Sequence, residues 1–559
     1  MIVGQKFFQH LQLLVIVLFL SWRATFEHST GTEVGIKCLE KEREALLKFK
    51  DELIDEHGRL SSWGSEKYKK DCCKWRGVTC DNQTNHIVEL DLCDMALRGN
   101  VSISLLEIQH LEYLDLSYNH FEYSKIPQFI GSLGRLQHLY LDGSNFSGEI
   151  PHHLGNLSEL NSLGLSSFHG SLTSTSLDWL SRLNSLNYLY MRSVNLTMAT
   201  DWLQTITKLT KLQRLELYSC NLSMVLTPSP FNASNSLSDF RLSGNEFSSS
   251  WIFPLVFNLS SSLSYLDLRS NKLQGEIPLS LRNMTSLTGL DLSNNQFTGE
   301  EPHLALPSSL SYLYLSDNMF TGTVTQCIGS LSKLEDVDIS SNNFEDVITE
   351  SLFFNLSHLG MLDLSYNQGI SFNISSGWNP HFQLTDVFLS RCKVGPHFPI
   401  WLRTQKRLEY LDISNAEISD TFPDWFPKSS PKLWALNVSH NNFHGVLPDL
   451  SSNFSRFEFT DLSFNHFNGS LPILPPNGSV VDLSSNEFSG SITNLCNETS
   501  CYWHFLDLSN NLLSGQLPDC FANLPNLQYL NLAHNNFSGK IPSLNTVSYT
   551  RGQENPNSN

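Results

Sequence analysis

Leucine recurs along this chain with a fixed polar punctuation. Written as LxxLxLxxN, the unit reads LEYLDLSYN from Leu111, LSYLDLRSN from Leu263, LTGLDLSNN from Leu287, LGMLDLSYN from Leu359 and LQYLNLAHN from Leu527. With substitutions allowed, nineteen units begin at 87, 111, 136, 160, 186, 212, 237, 263, 287, 310, 334, 359, 384, 408, 433, 457, 478, 503 and 527, a mean step near 24 residues. Each unit predicts one short strand, with its alternating leucines inward and positions two, three, five, seven and eight outward. One unit cannot bury its own apolar stripe, so the pattern predicts a stack of coils with a continuous core.

The ninth position adds a second expectation. An amide inside a coil satisfies buried backbone groups of its own and neighbouring turns. Asn119, Asn245, Asn271, Asn295, Asn318, Asn342, Asn367, Asn441, Asn465, Asn486, Asn511 and Asn535 should therefore form a ladder. Cys220 and Cys392 fall on the same rung and read as small buried structural thiols. Nineteen strands at about 4.8 Å make a parallel sheet roughly 90 Å long, on the concave side because the outer arc carries bulkier groups. The second half of the unit reads FSGEIP at Phe146–Pro151, LQGEIP at Leu273–Pro278, LSGQLP at Leu513–Pro518 and FSGKIP at Phe537–Pro542. Its glycine permits a turn, its proline blocks a helix, and the Ile-Pro step favours an extended segment beside the main strand.

The 24-residue LxxLxLxxNxxSGxIP unit resembles the plant-specific class of leucine-rich repeat, over residues 87–545. The fold this implies is an α/β solenoid, a right-handed curved superhelix with its parallel sheet on the concave face. Residues 38–80 leave the repeat and read CLEKEREALLKFKDEL, LSSW and DCCKWRGVTC. Glu40–Leu53 is a helix candidate, with Ala45, Leu46, Phe49 and Leu53 on one face. Such a piece shields the first coil from water. Four cysteines, Cys38, Cys72, Cys73 and Cys80, can pair three ways. The block is similar to the N-terminal cap of plant leucine-rich-repeat receptors and polygalacturonase inhibitors, and that resemblance implies the pairs Cys38–Cys72 and Cys73–Cys80. Cys496 and Cys520 lie one coil apart and could face each other, with Cys501 as competitor; Cys93 and Cys327 have no evident partner.

The termini and the charge narrow the setting. Lys6 followed by the apolar run Leu11–Leu20 reads as a signal peptide over 1–26. Seventeen N-x-S/T sequons fit an exported, glycosylated surface: Asn82, Asn100, Asn145, Asn156, Asn195, Asn221, Asn232, Asn258, Asn283, Asn355, Asn373, Asn437, Asn453, Asn468, Asn477, Asn497 and Asn536. Of these, a glycan at Asn437 would block the distal concave surface. The net charge of −19 disfavours nucleic acid and anionic lipid. As written, residues 546–559 read as an irregular tail, with no C-terminal cap, membrane span or kinase, and the last coil is expected to expose its core.

No HExxH, P-loop or clustered metal ligands occur, and no cofactor is implied. The recurrent fifth-position aspartates (Asp115, Asp267, Asp291, Asp338, Asp363, Asp412, Asp461, Asp482 and Asp507) offer paired carboxylates, the tools of a glycosidase, but recurrence at every rung marks them as repeat consensus. A ligand site should appear where the chain leaves that default. Units from 136 to 237 carry Tyr140, Gly164, Tyr190, Glu216 and Arg241 at position five, with Tyr188, Arg192, Arg214 and Tyr218 nearby. Tyrosine and arginine dominate interface energetics. The later departures, Tyr314 and Phe388, are isolated, and His138 and His534 are placed on the same face.

Beyond the repeat, segments such as SLLEIQHLEYLDLSYNHF and DWLQTITKLTKLQRLEL resemble the plant receptor-like proteins of the ethylene-inducing-xylanase receptor group. That resemblance implies recognition of a microbial or endogenous protein, peptide or glycan at the cell surface, with co-receptor kinases as signalling partners in defence. Two rivals share the architecture. A soluble inhibitor of microbial hydrolases, resembling polygalacturonase inhibitors, would be much shorter; the ectodomain of a receptor kinase would need a kinase downstream.

Overall fold

The computed structural model describes residues 38–121, 124–167, 171–222, 236–248, 252–258, 262–300, 306–450, 458–474, 478–496, 502–519 and 526–540. Each of the nineteen units contributes one strand, from Ile87–Asp91 to Tyr529–Asn531. Neighbouring units pair in parallel and in register; Tyr188, Leu189 and Tyr190 sit beside Arg214, Leu215 and Glu216, for example. The single antiparallel member is Val78–Cys80 of the cap, which pairs with the first repeat strand. The sheet therefore runs from the cap to the last described coil and lines the concave side of the solenoid. Inward leucines such as Leu114, Leu163, Leu215, Leu290 and Leu362 are almost fully buried.

The asparagine ladder forms as the pattern requires. The Asn318 amide nitrogen donates to the carbonyls of Leu292 on the preceding coil and Leu315 and Ser316 on its own, at 3.0–3.1 Å. Its Oδ1 accepts the Phe297 N–H at 2.9 Å. Buried Cys220 and Cys392 replace the amide with a thiol donor, the latter reaching the Leu364 carbonyl at 3.1 Å. Position eight adds a rule the leucine pattern does not carry. It takes a left-handed φ in unit after unit, from Tyr118 (55°) to Asn294 (52°), Tyr366 (59°) and Asn510 (54°). Gly, Asn, Asp and His tolerate that conformation best, yet serine, tyrosine and phenylalanine adopt it here as well, at Ser270, Tyr366 and Phe464.

The SGxIP segment gives the expected second strand. Gln274–Gly275 through Gly369–Phe372 make one five-stranded parallel sheet, and His444–Val446 through Asn536–Ser538 another. Beneath the second strand a phenylalanine spine stacks over several coils, with ring centroids of Phe297, Phe320 and Phe344 about 6 Å apart. Short 3-10 turns such as Gln128–Ser132 and His152–Asn156 occupy the convex side.

In the cap, the helix covers Glu40–Asp51 and buries Ala45, Leu46 and Phe49. Leu53 does not continue it: Leu53–Ile54 turns into a short strand paired antiparallel with Arg98–Gly99 of the first coil, so the cap is stitched on by backbone hydrogen bonds. Both expected disulfides, Cys38–Cys72 and Cys73–Cys80, are present. Cys93 is a free, half-buried thiol, its pKa pushed up to about 12 by burial and by Asp115 and Asp91. The proposed Cys496–Cys520 pair, Cys501, the side chain of Cys327, the signal peptide and the tail lie outside the described residues. No helix among the described residues is long and apolar enough to cross a membrane.

Candidate recognition surface on the concave face

The fifth-position aspartates face outward yet are buried or half-buried, because each folds back onto its own turn. Asp363 Oδ1 accepts the Ser365 N–H at 2.9 Å. Asp412 and Asp507 accept both the N–H and the hydroxyl of the serine two residues on, at 2.6–2.9 Å. Burial raises the Asp412 carboxyl, takes Asp291 to about 7 with Asp267 adding repulsion, and holds Asp363 well above its usual range. Each carboxylate acts as a turn clasp. Asn437 plays the same part: its Oδ1 accepts from Ser439, and its amide nitrogen donates to Asp412 at 3.2 Å. The sequon nitrogen expected to carry a blocking glycan is thus engaged within this row.

Units 136–237 lack the clasp, and their side chains pack on one another instead. Tyr140 lies 5.7 Å from Tyr113 between ring centroids, with His138 beside Tyr113 at 5.8 Å. Burial lowers the His138 pKa and raises those of Tyr140, Tyr188, Tyr190 and Glu216. Arg192 stands over the Tyr218 ring at 4.9 Å and Arg214 over Tyr188 at 5.8 Å, contacts favourable through the ring quadrupole. Both arginines are exposed; the tyrosines are half-buried. The surface is a lattice of rings and guanidinium groups with free edges.

Arg241 differs from the other candidates. It is half-buried, grips the buried Asp239 through two hydrogen bonds (2.7 and 2.9 Å) and stacks 4.4 Å over Tyr265. It braces the face. Asp239 also takes Arg214 at 3.1 Å, and Arg269 continues the array towards Asp267 and Asp291 at 3.5 and 3.6 Å. Asp239, Tyr265 and Arg269 escaped sequence reasoning, which tested departures mainly at position five. Asp142 escaped for the same reason: it occupies position seven, where serine is the default. The isolated departures are accounted for locally, Tyr314 by a hydrogen bond to Asp336 at 3.3 Å and buried Phe388 by Tyr410 at 4.6 Å. His534 takes the left-handed eighth position.

Among the described sequons, Asn82, Asn100, Asn156, Asn221, Asn283, Asn355, Asn373, Asn468 and Asn536 are exposed, and Asn145, Asn195 and Asn437 half-buried. Asn232, Asn453, Asn477, Asn497 and the side chain of Asn258 lie outside the description. None of the exposed nine falls in a strand of the concave sheet. A cavity of about 330 Å³ opens at the cap end of the face, between Val78–Thr79 and Glu89, Asp91 and Cys93. Glu42, His86 and His110 also cluster, but the Glu42 carboxylate is already held by the Ile87 N–H and His86 Nδ1, both at 2.8 Å. With His110 stacked on His86 at 3.6 Å, the group locks the cap helix to the first two coils.

Comparison with known proteins agrees with this architecture. Models of a leucine-rich repeat region and of a leucine-rich-repeat N-terminal domain match residues 89–302 and 39–81, and a further leucine-rich-repeat model matches 308–368. The tomato (Solanum lycopersicum) receptor-like protein EIX2 is 37% identical over 88% of this chain and 61% of its own length. Tomato receptor-like protein EIX1 is 38% identical over 79% of this chain and 56% of its own length. The chain thus spans about three-fifths of these relatives. Among solved structures, the Arabidopsis receptor kinase HAESA in complex with the peptide hormone IDA and the co-receptor SERK1 superposes with a TM-score of 0.54, at 26% identity over 90% of this chain and 91% of that one.

Proposed function

We propose, for a chain that belongs to the plant leucine-rich-repeat receptor-like proteins, that the proximal concave face is the recognition site of an extracellular receptor module. Its ligand is a protein or peptide, of microbial or endogenous origin, and the bound state is read by co-receptor kinases in defence. The observation that carries this reading is the loss of the aspartate clasp over five successive coils, from Tyr140 to Arg241. There the outward side chains pair with one another and leave Arg192 and Arg214 exposed beside tyrosine faces. Rigid tyrosines supply contact area at low entropic cost, and exposed arginines supply directional hydrogen bonds. The peptide bound by HAESA, a relative in fold, supports a peptide-sized ligand.

The test pans a phage-displayed random dodecapeptide library against the secreted chain and measures the enriched peptides by interferometry. Tyr190→Ala/Arg192→Ala/Arg214→Ala should weaken them at least tenfold, while Tyr366→Ala/Phe464→Ala on the distal coils leaves them within twofold. The opposite ranking, or no enriched peptide, would sink the proposal.

A further inference from the structure

Resting on that reading, we infer that Asp142, seated over Gly164, forms a cation-accepting subsite, which takes a lysine or arginine side chain of the ligand between tyrosine rings. At position seven most coils place serine, as at Ser117, Ser316, Ser365, Ser414, Ser463 and Ser509. The coil from 136 places Asp142 there instead. Its side chain is buried, and its Oδ1 has no hydrogen-bond partner. Buried polar atoms are normally satisfied, so a carboxyl oxygen left without a partner at this position points to a missing one.

The neighbouring strand makes room for it. Ser162–Ser166 presents only Ser162, Gly164 and Ser166 outward. A Cβ on Gly164 would lie 2.3 Å from Asp142 Oδ2 and 2.9 Å from Tyr140 Cδ1, so any side chain there would collide with the carboxylate. The Asp142 carboxyl thus occupies the space a side chain at 164 would fill, with Oδ2 over Gly164 and Oδ1 left without a partner.

Around it stand Tyr118 from the preceding coil, Tyr140 on its own strand, and Tyr188 and Tyr190 two coils on; the burial-raised pKa of each is raised further by Asp142. The other charges facing Asp142 are acidic, Asp115 and Glu216, and Cys93 is a neutral thiol. Two cations border the canopy, Arg192, which stands over Tyr218 and also faces Tyr118 and Tyr190, and Arg214 over Tyr188, but neither donates to Asp142 Oδ1. Tyrosine faces with a buried carboxylate recognise an organic cation, through the ring quadrupole and a charge-assisted hydrogen bond. Entry requires one ring of the canopy to turn aside.

Burial, then Asp115, pushes Asp142 up to about 8. A ligand cation needs the carboxylate, so binding releases a proton. Affinity should then rise about tenfold per unit between pH 6 and pH 7, because only the ionised fraction binds.

The experiment uses the peptides enriched by panning. They should share a lysine or arginine, and replacing it with acetyl-lysine or citrulline should weaken binding at least tenfold. Asp142→Ser restores the repeat's own residue and should fold with an equal or higher melting temperature. It should bind the cationic and neutralised peptides alike, without pH dependence, and Asp142→Asn should behave the same way. Enriched peptides without a shared cation, or a cation preference that survives in both variants, would overturn the subsite while leaving the concave-face reading intact. Failure to enrich any peptide would remove both.

Discussion

The distal coils, from about residue 287 to 531, and the proximal coils, from 136 to 265, share one backbone and differ in what their outward side chains do. In most distal coils the fifth-position carboxylate closes its own turn on serine, as at Asp363 and Asp412, and phenylalanines stack from coil to coil. In the proximal coils Tyr140, Gly164, Tyr190, Glu216 and Arg241 replace the clasp, and contacts run between strands: Arg192 to Tyr218, Arg214 to Tyr188, Arg241 to Tyr265. One half uses its polar side chains to hold the coil. The other places part of that chemistry at the surface. A repeat protein can do this locally because each coil contacts only its neighbours.

Variants can break that division, and the largest effect belongs to the ladder. Asn318→Ala leaves buried carbonyls and the Phe297 N–H without partners and should cost about 3 kcal/mol of local stability, read as faster amide exchange over residues 287–320. Arg241→Gln removes the bidentate grip on buried Asp239, with Arg214 still in reach, and should cost about 2 kcal/mol in chemical denaturation. Were Arg241 a free recognition residue, the loss would be near zero.

A pH series sharpens the same contrast. Burial raises Asp291 to about 7 and Asp336 to about 6. Carboxyls whose folded pKa exceeds the unfolded value bind more protons when folded, so stability falls as pH rises from about 4 towards 7. His138 and His110, lowered by burial, act in the opposite sense below about pH 6.5. The aspartate row should dominate, giving a higher melting temperature at pH 5 than at pH 8; a flat or inverted profile contradicts the buried row. The smallest effect is on the exposed proximal arginines: Arg192→Ala should change stability by less than about 0.5 kcal/mol.

Much of this was legible in the sequence. The 24-residue period placed all nineteen strands, and the ninth-position asparagines and the two cysteines stand on their rungs, because one backbone geometry repeats and each rung makes the same hydrogen bonds. The cap disulfides followed from the resemblance carried by its cysteine block. The helix end did not: Leu53 continues the apolar helical face in sequence, but pairing with Arg98–Gly99 extends the chain there. The candidate surface was half legible. Departures at position five, with the outward positions beside them, led to the tyrosines and exposed arginines, yet gave no sign that Arg241 is held by Asp239, since that partner lies two residues away on the same strand. Asp142 was hidden because its meaning depends on Gly164 of the next coil and on a serine default at position seven.

The central claim, that recognition sits on the coils that lost the clasp, is tested most directly by hydrogen exchange on the full chain with and without an enriched peptide. The account predicts protection confined to 113–118, 138–142, 188–192 and 214–218. Protection centred on the strands between 361 and 531, with the proximal coils unchanged, would contradict it.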